Sequence, residues 1–303
     1  MEFIKKYKND NGILDFGVYG QTSKIIDEFY DVSPFPNYNN YKDLSDFLEI
    51  SEKNTFLSEL KQYIGYNKKI IEIGSGTCQL GIFLAANTNN KVYCLDATKK
   101  SLKLGCEFAK KNKVNNISFV RSEIENTIFE ENSFDFVICT GVLHHTSDPK
   151  GNFKKIANLT KENGNIIVGF YNRIGRIRTF IRQFIFKYIS KNFAIFLDPY
   201  LRNKNFSLEK RMAWIRDQYQ HPLETSFTFD NILNWFSNEH IKFIGSIPSM
   251  NLFNENESQF YQKQYQTTLS ERIFKQFLMI FDNYGSEGGL FIMMGKKNCE
   301  KIN

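Results

Sequence analysis

"IIEIGSGTCQLG", residues 70–81, decides the fold. Ile70, Ile71 and Ile73 are β-branched and make a short buried strand, and Gly74 and Gly76 end it just before a helical pattern opens at Leu80. Glycine at a strand end lets backbone N–H groups approach a ligand with no Cβ in the way. Outward from this stretch, short apolar runs alternate with helical patterns, as parallel βαβ units do. Strands are expected at residues 69–73, 91–95, 117–120, 134–139 and 165–170, with helices at 80–86, 100–111 and 152–159. Glu162, Asn163 and Gly164 make the turn into the fifth strand.

After residue 172 the alternation stops. Residues 171–219 read as helices, and Thr228 is an N-cap for the helix "FDNILNWFSNEH". Two more strands are expected at 241–247 and 289–295, separated by a second helical insert best defined at 271–281. The chain divides into an aromatic N-terminal cap or lid (1–60), a ligand-binding α/β core (61–172), a helical insert over the substrate (173–227), and a returning helix with the terminal strand pair (228–303). Pro34 and Pro36 make part of the cap an extended strap.

Composition narrows the class. The 303 residues are enough for one core with embellishments and short for two full domains. The net charge of +6 is spread along the chain, which fits a solvated surface and gives only weak support for nucleic acid or an anionic membrane. Five cysteines, with no CxxC pair and no metal-ligand spacing to His, read as reduced, packed thiols. The N-terminal residues carry no signal peptide and no run spans a bilayer, so the expectation is a cytoplasmic protein.

The acids select the ligand. A dinucleotide fingerprint needs a third glycine where Gln79 stands. Glu72, two residues before Gly74, would repel a pyrophosphate and suits a ligand with a cationic centre. The second strand ends in "VYCLDAT", placing Asp96 where a carboxylate can accept from both hydroxyls of a ribose. An adenosine ribose joined to a cationic amino-acid tail satisfies both acids, and S-adenosylmethionine is such a ligand.

From about residue 65 to 172 the chain resembles the class I S-adenosylmethionine-dependent methyltransferases. The matching pieces are "EIGSG", "LDAT", "SFDFVICTGVLHHTSDP" and "LTKENGNIIVGFYN", in the family's order. The resemblance implies a Rossmann-like α/β fold, a seven-stranded, mostly parallel sheet whose last strand is antiparallel. It also implies cofactor contacts at Glu72, Gly74, Ser75, Gly76, Gln79, Asp96, Ala97, Ser122, Glu123, Ile124, Cys139 and Thr140. Two departures stand out: Cys78 occupies a position often held by glycine, and "VRSEIE" offers Ser122 or Glu123 where the adenine-contacting residue is often Asp.

Methyl transfer is an in-line displacement that needs alignment, a dry cavity and, for some acceptors, a general base, but no metal. His144 and His145 follow the fourth strand; the second resembles a histidine common in the family, and an imidazole of ordinary pKa near 6.5 suits a phenol, enol or amine acceptor. The alternative is that they only hydrogen-bond their loop. His221, with Tyr219 and Glu224, lies in "DQYQHPLETSFT", facing either the acceptor or solvent. Phe16, Tyr19, Tyr30, Phe35 and Tyr38 are lid candidates for a sulfonium, with Tyr19 the single choice for a cofactor contact; core packing is the competing role.

The stretch "NRIGRIRTFIRQFIFKYISK" places apolar residues at helical spacing among six basic ones. Three readings compete: a lid helix packed on the sheet with a solvated basic face, an Arg site for an acidic substrate, and adsorption to anionic lipid. The expected acceptor is a small or lipid-like molecule, with peripheral membrane contact left open. An RNA acceptor and a non-catalytic cofactor-binding protein are the rivals, and DNA is not expected.

Overall fold

The computed structural model describes residues 3–21, 24, 27, 37–126, 128–202, 208–220, 223–252, 267–281 and 289–298. Its centre is one sheet. After an N-terminal hairpin, β1 (Lys8–Asp10) and β2 (Ile13–Asp15), come the helices α1 (Leu44–Glu52) and α2 (Thr55–Ile64). The βα units follow: β3 (Lys69–Ile73), α3 (Gln79–Ala85), β4 (Lys91–Asp96), α4 (Lys99–Lys111) and β5 (Ile117–Arg121). Then come β6 (Phe134–Thr140), α5 (Pro149–Leu159) and β7 (Thr160–Tyr171). The insert supplies α6 (Ile177–Tyr188), α7 (Lys191–Leu197) and α8 (Leu208–Gln220). The chain returns through α9 (Phe229–Asn238), β8 (Ile241–Ile247), α10 (Leu269–Leu278) and β9 (Leu290–Lys297).

The strand order is β1-β2-β5-β4-β3-β6-β7-β9-β8. All neighbours from β2 to β7 pair parallel, and β9 pairs antiparallel with both β7 and β8. The expected seven strands are present, with the last antiparallel; the sheet has two more because residues 8–15 form a hairpin. Asn11 and Gly12, at φ 54° and 95°, make its two-residue turn, the backbone that a right-twisted hairpin needs. The "DNGIL" signal was therefore in the sequence, within a stretch expected to be only an aromatic cap. β7 starts five residues before the expected strand, and Asn163, at φ 61°, lies inside it at the expected turn.

Alternation along the central strands divides the interior. Ile71, Ile73, Tyr93 and Leu95 face a core covered by α5 and α9, and Ile70, Val92 and Cys94 face a second one covered by α1 to α4. Glu72 falls on the second face. β3 lies between β4 and β6, so chain crossovers leave it in opposite directions and a crevice opens beyond its C-terminal end.

Candidate active site

Gly74 opens the crevice. At φ 69° it packs its Cα against Val142 in the loop after β6, where a Cβ would overlap the Val142 methyl groups. Gly74 N–H and Ser75 N–H both donate to the Leu95 carbonyl, at 2.8 and 3.1 Å, which ties the loop to the tip of β4. Asp96 completes the tie. Its Oδ2 accepts from Gly76 N–H at 2.7 Å and its Oδ1 from Thr98 N–H at 2.7 Å. Burial raises the Asp96 pKa against the pull of those two donors, so the carboxylate sits at the loop under desolvation and keeps lone pairs for further hydroxyl donors.

Glu72 has a second job that its position in the sequence did not disclose. Its Oε2 accepts from Gly81 N–H at 2.9 Å and lies 3.8 Å from the Cys94 thiol, under the first turn of α3. Burial pushes its pKa up to about 8, with the Gly81 N–H resisting and the nearby Asp96 carboxylate adding to the rise. Gly81 is the third glycine of this region, five residues after Gly76 instead of at Gln79: a Cβ there would overlap the Cys94 sulfur. Cys78 precedes α3 at φ 65°, the conformation that explains why glycine is common there. Glu72, Ser75, Thr77 and Gln79 line one side of a cleft of about 400 Å³ whose other wall is Tyr41, Phe47, Ile50 and Leu57.

The remaining expected cofactor contacts fall around the same rim. The Ala97 carbonyl accepts from Arg121 Nε at 3.2 Å, and Arg121 also pairs with Asp15 and Asp27 at 3.2 and 3.0 Å, fastening the N-terminal segment to the end of β5. Ser122 is fully buried and its Oγ accepts from Asn126 Nδ2 at 3.3 Å. Glu123 Oε2 accepts from Gly20 N–H at 2.9 Å. The Cys139 side chain is buried in the core, and Ile124 is partly buried and packs against the same core. Thr140 packs against Gly169 of β7.

The lid candidates separate. Phe16 is core, packed on Phe3 and Tyr7. Tyr38 stacks on Phe108 at 4.2 Å and donates to the Thr77 carbonyl at 2.6 Å, while Gln79 Nε2 donates to the Asn37 carbonyl, so the strap pins the back of the glycine loop. Tyr19 is exposed with its ring against Gly17. Tyr30, Phe35 and His221 lie outside the described residues.

His144 and His145 sit in a single 3-10 turn, both buried. His145 Nδ1 is 2.7 Å from the Leu223 carbonyl. A carbonyl only accepts, so Nδ1 carries the proton and, in the neutral ring, Nε2 carries the basic lone pair. The His144 ring lies 4.3 Å from Tyr171, and its carbonyl accepts from Thr225 N–H at 2.9 Å. Beyond Tyr171 the guanidinium of Arg176 stacks 3.6 Å above the ring. Arg176 is fully buried, donates through Nε and Nη2 to both carboxylate oxygens of Glu224 at 2.9 and 2.7 Å, and through Nη1 to Gln218 at 3.0 Å. One chain of contacts thus runs from the insert to the histidine turn. Tyr219, placed near the acceptor by its sequence position, donates to the buried Asp198 at 2.6 Å.

The donor set fits an adenosyl ligand with a cationic tail: a glycine turn held open by the Val142 contact, a buried carboxylate at the neighbouring strand tip, and a second carboxyl beneath the loop.

Residues 64–195 match the family described as a methyltransferase domain. The chain is similar to the ubiquinone biosynthesis O-methyltransferase of Rickettsia akari (strain Hartford), 23% identical over 194 residues that cover 60% of this chain and 76% of the relative. It is also similar to the uncharacterized methyltransferase YcgJ of Bacillus subtilis (strain 168), 25% identical over 100 residues, 33% of this chain and 39% of YcgJ. The chain therefore spans well under half the length of YcgJ. Among solved structures, PKMT2 from Rickettsia typhi superposes with a TM-score of 0.58 at 17% identity, over 82% of this chain and 53% of that one. The same protein in complex with AdoHcy gives 0.55 at 15% identity, over 82% of this chain and 54% of that one. At these identities the structural likeness speaks for the fold.

Proposed function

We propose that this chain is a class I S-adenosylmethionine-dependent methyltransferase that transfers a methyl group to a small acceptor with a lipid-like body; the methyltransferase-domain match over residues 64–195 supports the family. The observation that carries the reading is Asp96, buried at the tip of β4 and bonded to the Gly76 N–H, which brings a ribose-accepting carboxylate and the glycine loop to one crevice. Bound there, S-adenosylmethionine supplies an electrophilic methyl group on a sulfonium.

The chain's own residues do the rest. Gly74, Ser75 and Gly76 give the ligand a bare backbone, and Asp96 orients it through ribose hydroxyls. The loop after β6 closes one wall and excludes water through Val142 and the buried histidine turn. His145 takes the acceptor's proton on Nε2, its ring held in that tautomer by the Leu223 carbonyl. His144, wedged between His145 and Tyr171, positions the turn.

The acceptor class is supported by a cleft of about 480 Å³ beside Glu224, walled by Phe180, Phe186 and Tyr219 and bordered by Lys187 and Lys191. An apolar body with a polar or anionic end suits those walls. The Rickettsia relative named for an O-methylation in ubiquinone biosynthesis points the same way, to an oxygen acceptor.

The test is incubation of the purified chain with methyl-labelled S-adenosylmethionine and fractions of a cell extract. Label in the organic-extractable small molecules is expected. Label in RNA alone, or none while S-adenosylhomocysteine binds, would overturn the proposal in favour of an RNA acceptor or a non-catalytic binder.

A further inference from the structure

The apolar side of α6 faces away from the protein. The faces that go inward carry Thr179 and Phe186. At roughly 100° per residue, Ile177, Ile181, Phe184 and Tyr188 (i, i+4, i+7, i+11) make one stripe on the opposite side. Ile181, Phe184 and Tyr188 each keep more than half of their surface in water. Of the three readings that the sequence left open, this arrangement disfavours a lid helix packed on the sheet by this stripe. The stripe continues onto a second element: Arg178 Nη1 donates to the Ile280 carbonyl at 3.3 Å, next to Phe277 and Phe281, which are also half or more exposed. Contiguous exposure on this scale marks an interaction surface.

The charges say what covers it. Residues 173–197 contain six basic side chains and no acid. Arg176 is occupied by Glu224, but Arg173, Arg178, Lys187 and Lys191 are exposed, with Arg178 and Lys187 on the two flanks of the stripe. Among the described residues, two acids on and against α10 are engaged: Glu271 closes a capping box with Thr268, and Asp230 pairs with Arg272. An apolar stripe between cationic flanks fits an interface plane of acyl chains under anionic headgroups. A second copy of this chain would set cation against cation across the same stripe. Among the described residues no helix is long and apolar enough to cross a membrane.

We propose that α6 and the C-terminal end of α10 form a docking face for an anionic lipid bilayer, beside the cleft of Phe180 and Phe186. The test uses the full chain and flotation with vesicles of phosphatidylcholine alone or mixed with phosphatidylglycerol. Binding to the mixed vesicles is expected to exceed binding to phosphatidylcholine by about tenfold and to fall with added salt. Ile181→Ser/Phe184→Ser is expected to lose about tenfold more in partitioning. Both side chains are exposed, so the melting temperature should hold, and Phe277→Ser repeats the test on the second element. Equal flotation of variant and parent, equal binding to both vesicles, or no binding would overturn the proposal. So would a stable dimer that the same substitutions dissociate. No activity is read, so failure of the methyl-transfer reading leaves this test intact.

Discussion

Gly81 and Cys94 occupy one space between α3 and β4, and the backbone N–H that Gly81 offers Glu72 depends on that close approach. Gly81→Ala is expected to cost about 1–3 kcal/mol in denaturant unfolding through overpacking, and markedly less in a Cys94→Ala background, where the sulfur is gone. Glu72 itself predicts a pH dependence. Its folded pKa of about 8 exceeds the ordinary carboxyl value of 4.5, so between those limits the native state holds more protons than the unfolded chain. The stability it contributes is full below 4.5 and is lost as pH rises through 8, with a slope of at most roughly 1.4 kcal/mol per pH unit. Glu72→Gln should flatten that slope in melts run from pH 5 to 9, and binding of S-adenosylhomocysteine to the parent should release protons below pH 8 as its ammonium group draws Glu72 into the ionised form. Asp96→Ala should weaken the same binding more than tenfold by calorimetry, since hydrogen bonds to charged groups contribute roughly 1.5–3 kcal/mol.

At the scale of elements, Arg176 is the joint between the insert and the segment that leads into α9. It is wholly buried and paired at both carboxylate oxygens of Glu224, so Arg176→Ala strands a carboxylate and is expected to cost about 3–5 kcal/mol in thermal unfolding, more than Glu224→Gln, which keeps an acceptor. The central elements were legible because their periods are local. β3 and β8 begin and end where the apolar runs do, and Thr228 caps α9 through a capping box with Asn231. The ion pairs were not legible, since Arg121 meets Asp15 across 106 positions and Arg176 meets Glu224 across 48, and nothing in either neighbourhood marks the partner. The inward face of α6 was not legible for a related reason: periodicity shows that a helix is two-sided, and only the tertiary structure says which side turns inward. Gly81 is a small residue one helical turn past Cys78, and its requirement comes from the Cys94 sulfur on β4, which no local spacing discloses.

For the molecule as a whole, the hairpin β1-β2 closes the sheet on the β5 side, and β8 forms the opposite border. Phe3 packs on Tyr93 and Phe129, and Phe16 packs on Phe3. Removing residues 1–16 is expected to bare the edge of β5 together with that aromatic cluster and to produce concentration-dependent aggregation, measured by light scattering, while the remaining sheet keeps its far-ultraviolet dichroism.

The contact of Gly74 with Val142 reaches further than its size suggests. The valine precedes the histidine turn by one residue, so a methyl group added at position 74 would press on that turn and on the ring proposed to take the acceptor's proton, from the far bank of the crevice. Lesions that look confined to nucleotide grip would then surface as a collapse of turnover. A mutational map that sorts the two banks by which substrate each touches would misassign them, because they interlock at Gly74 and Val142.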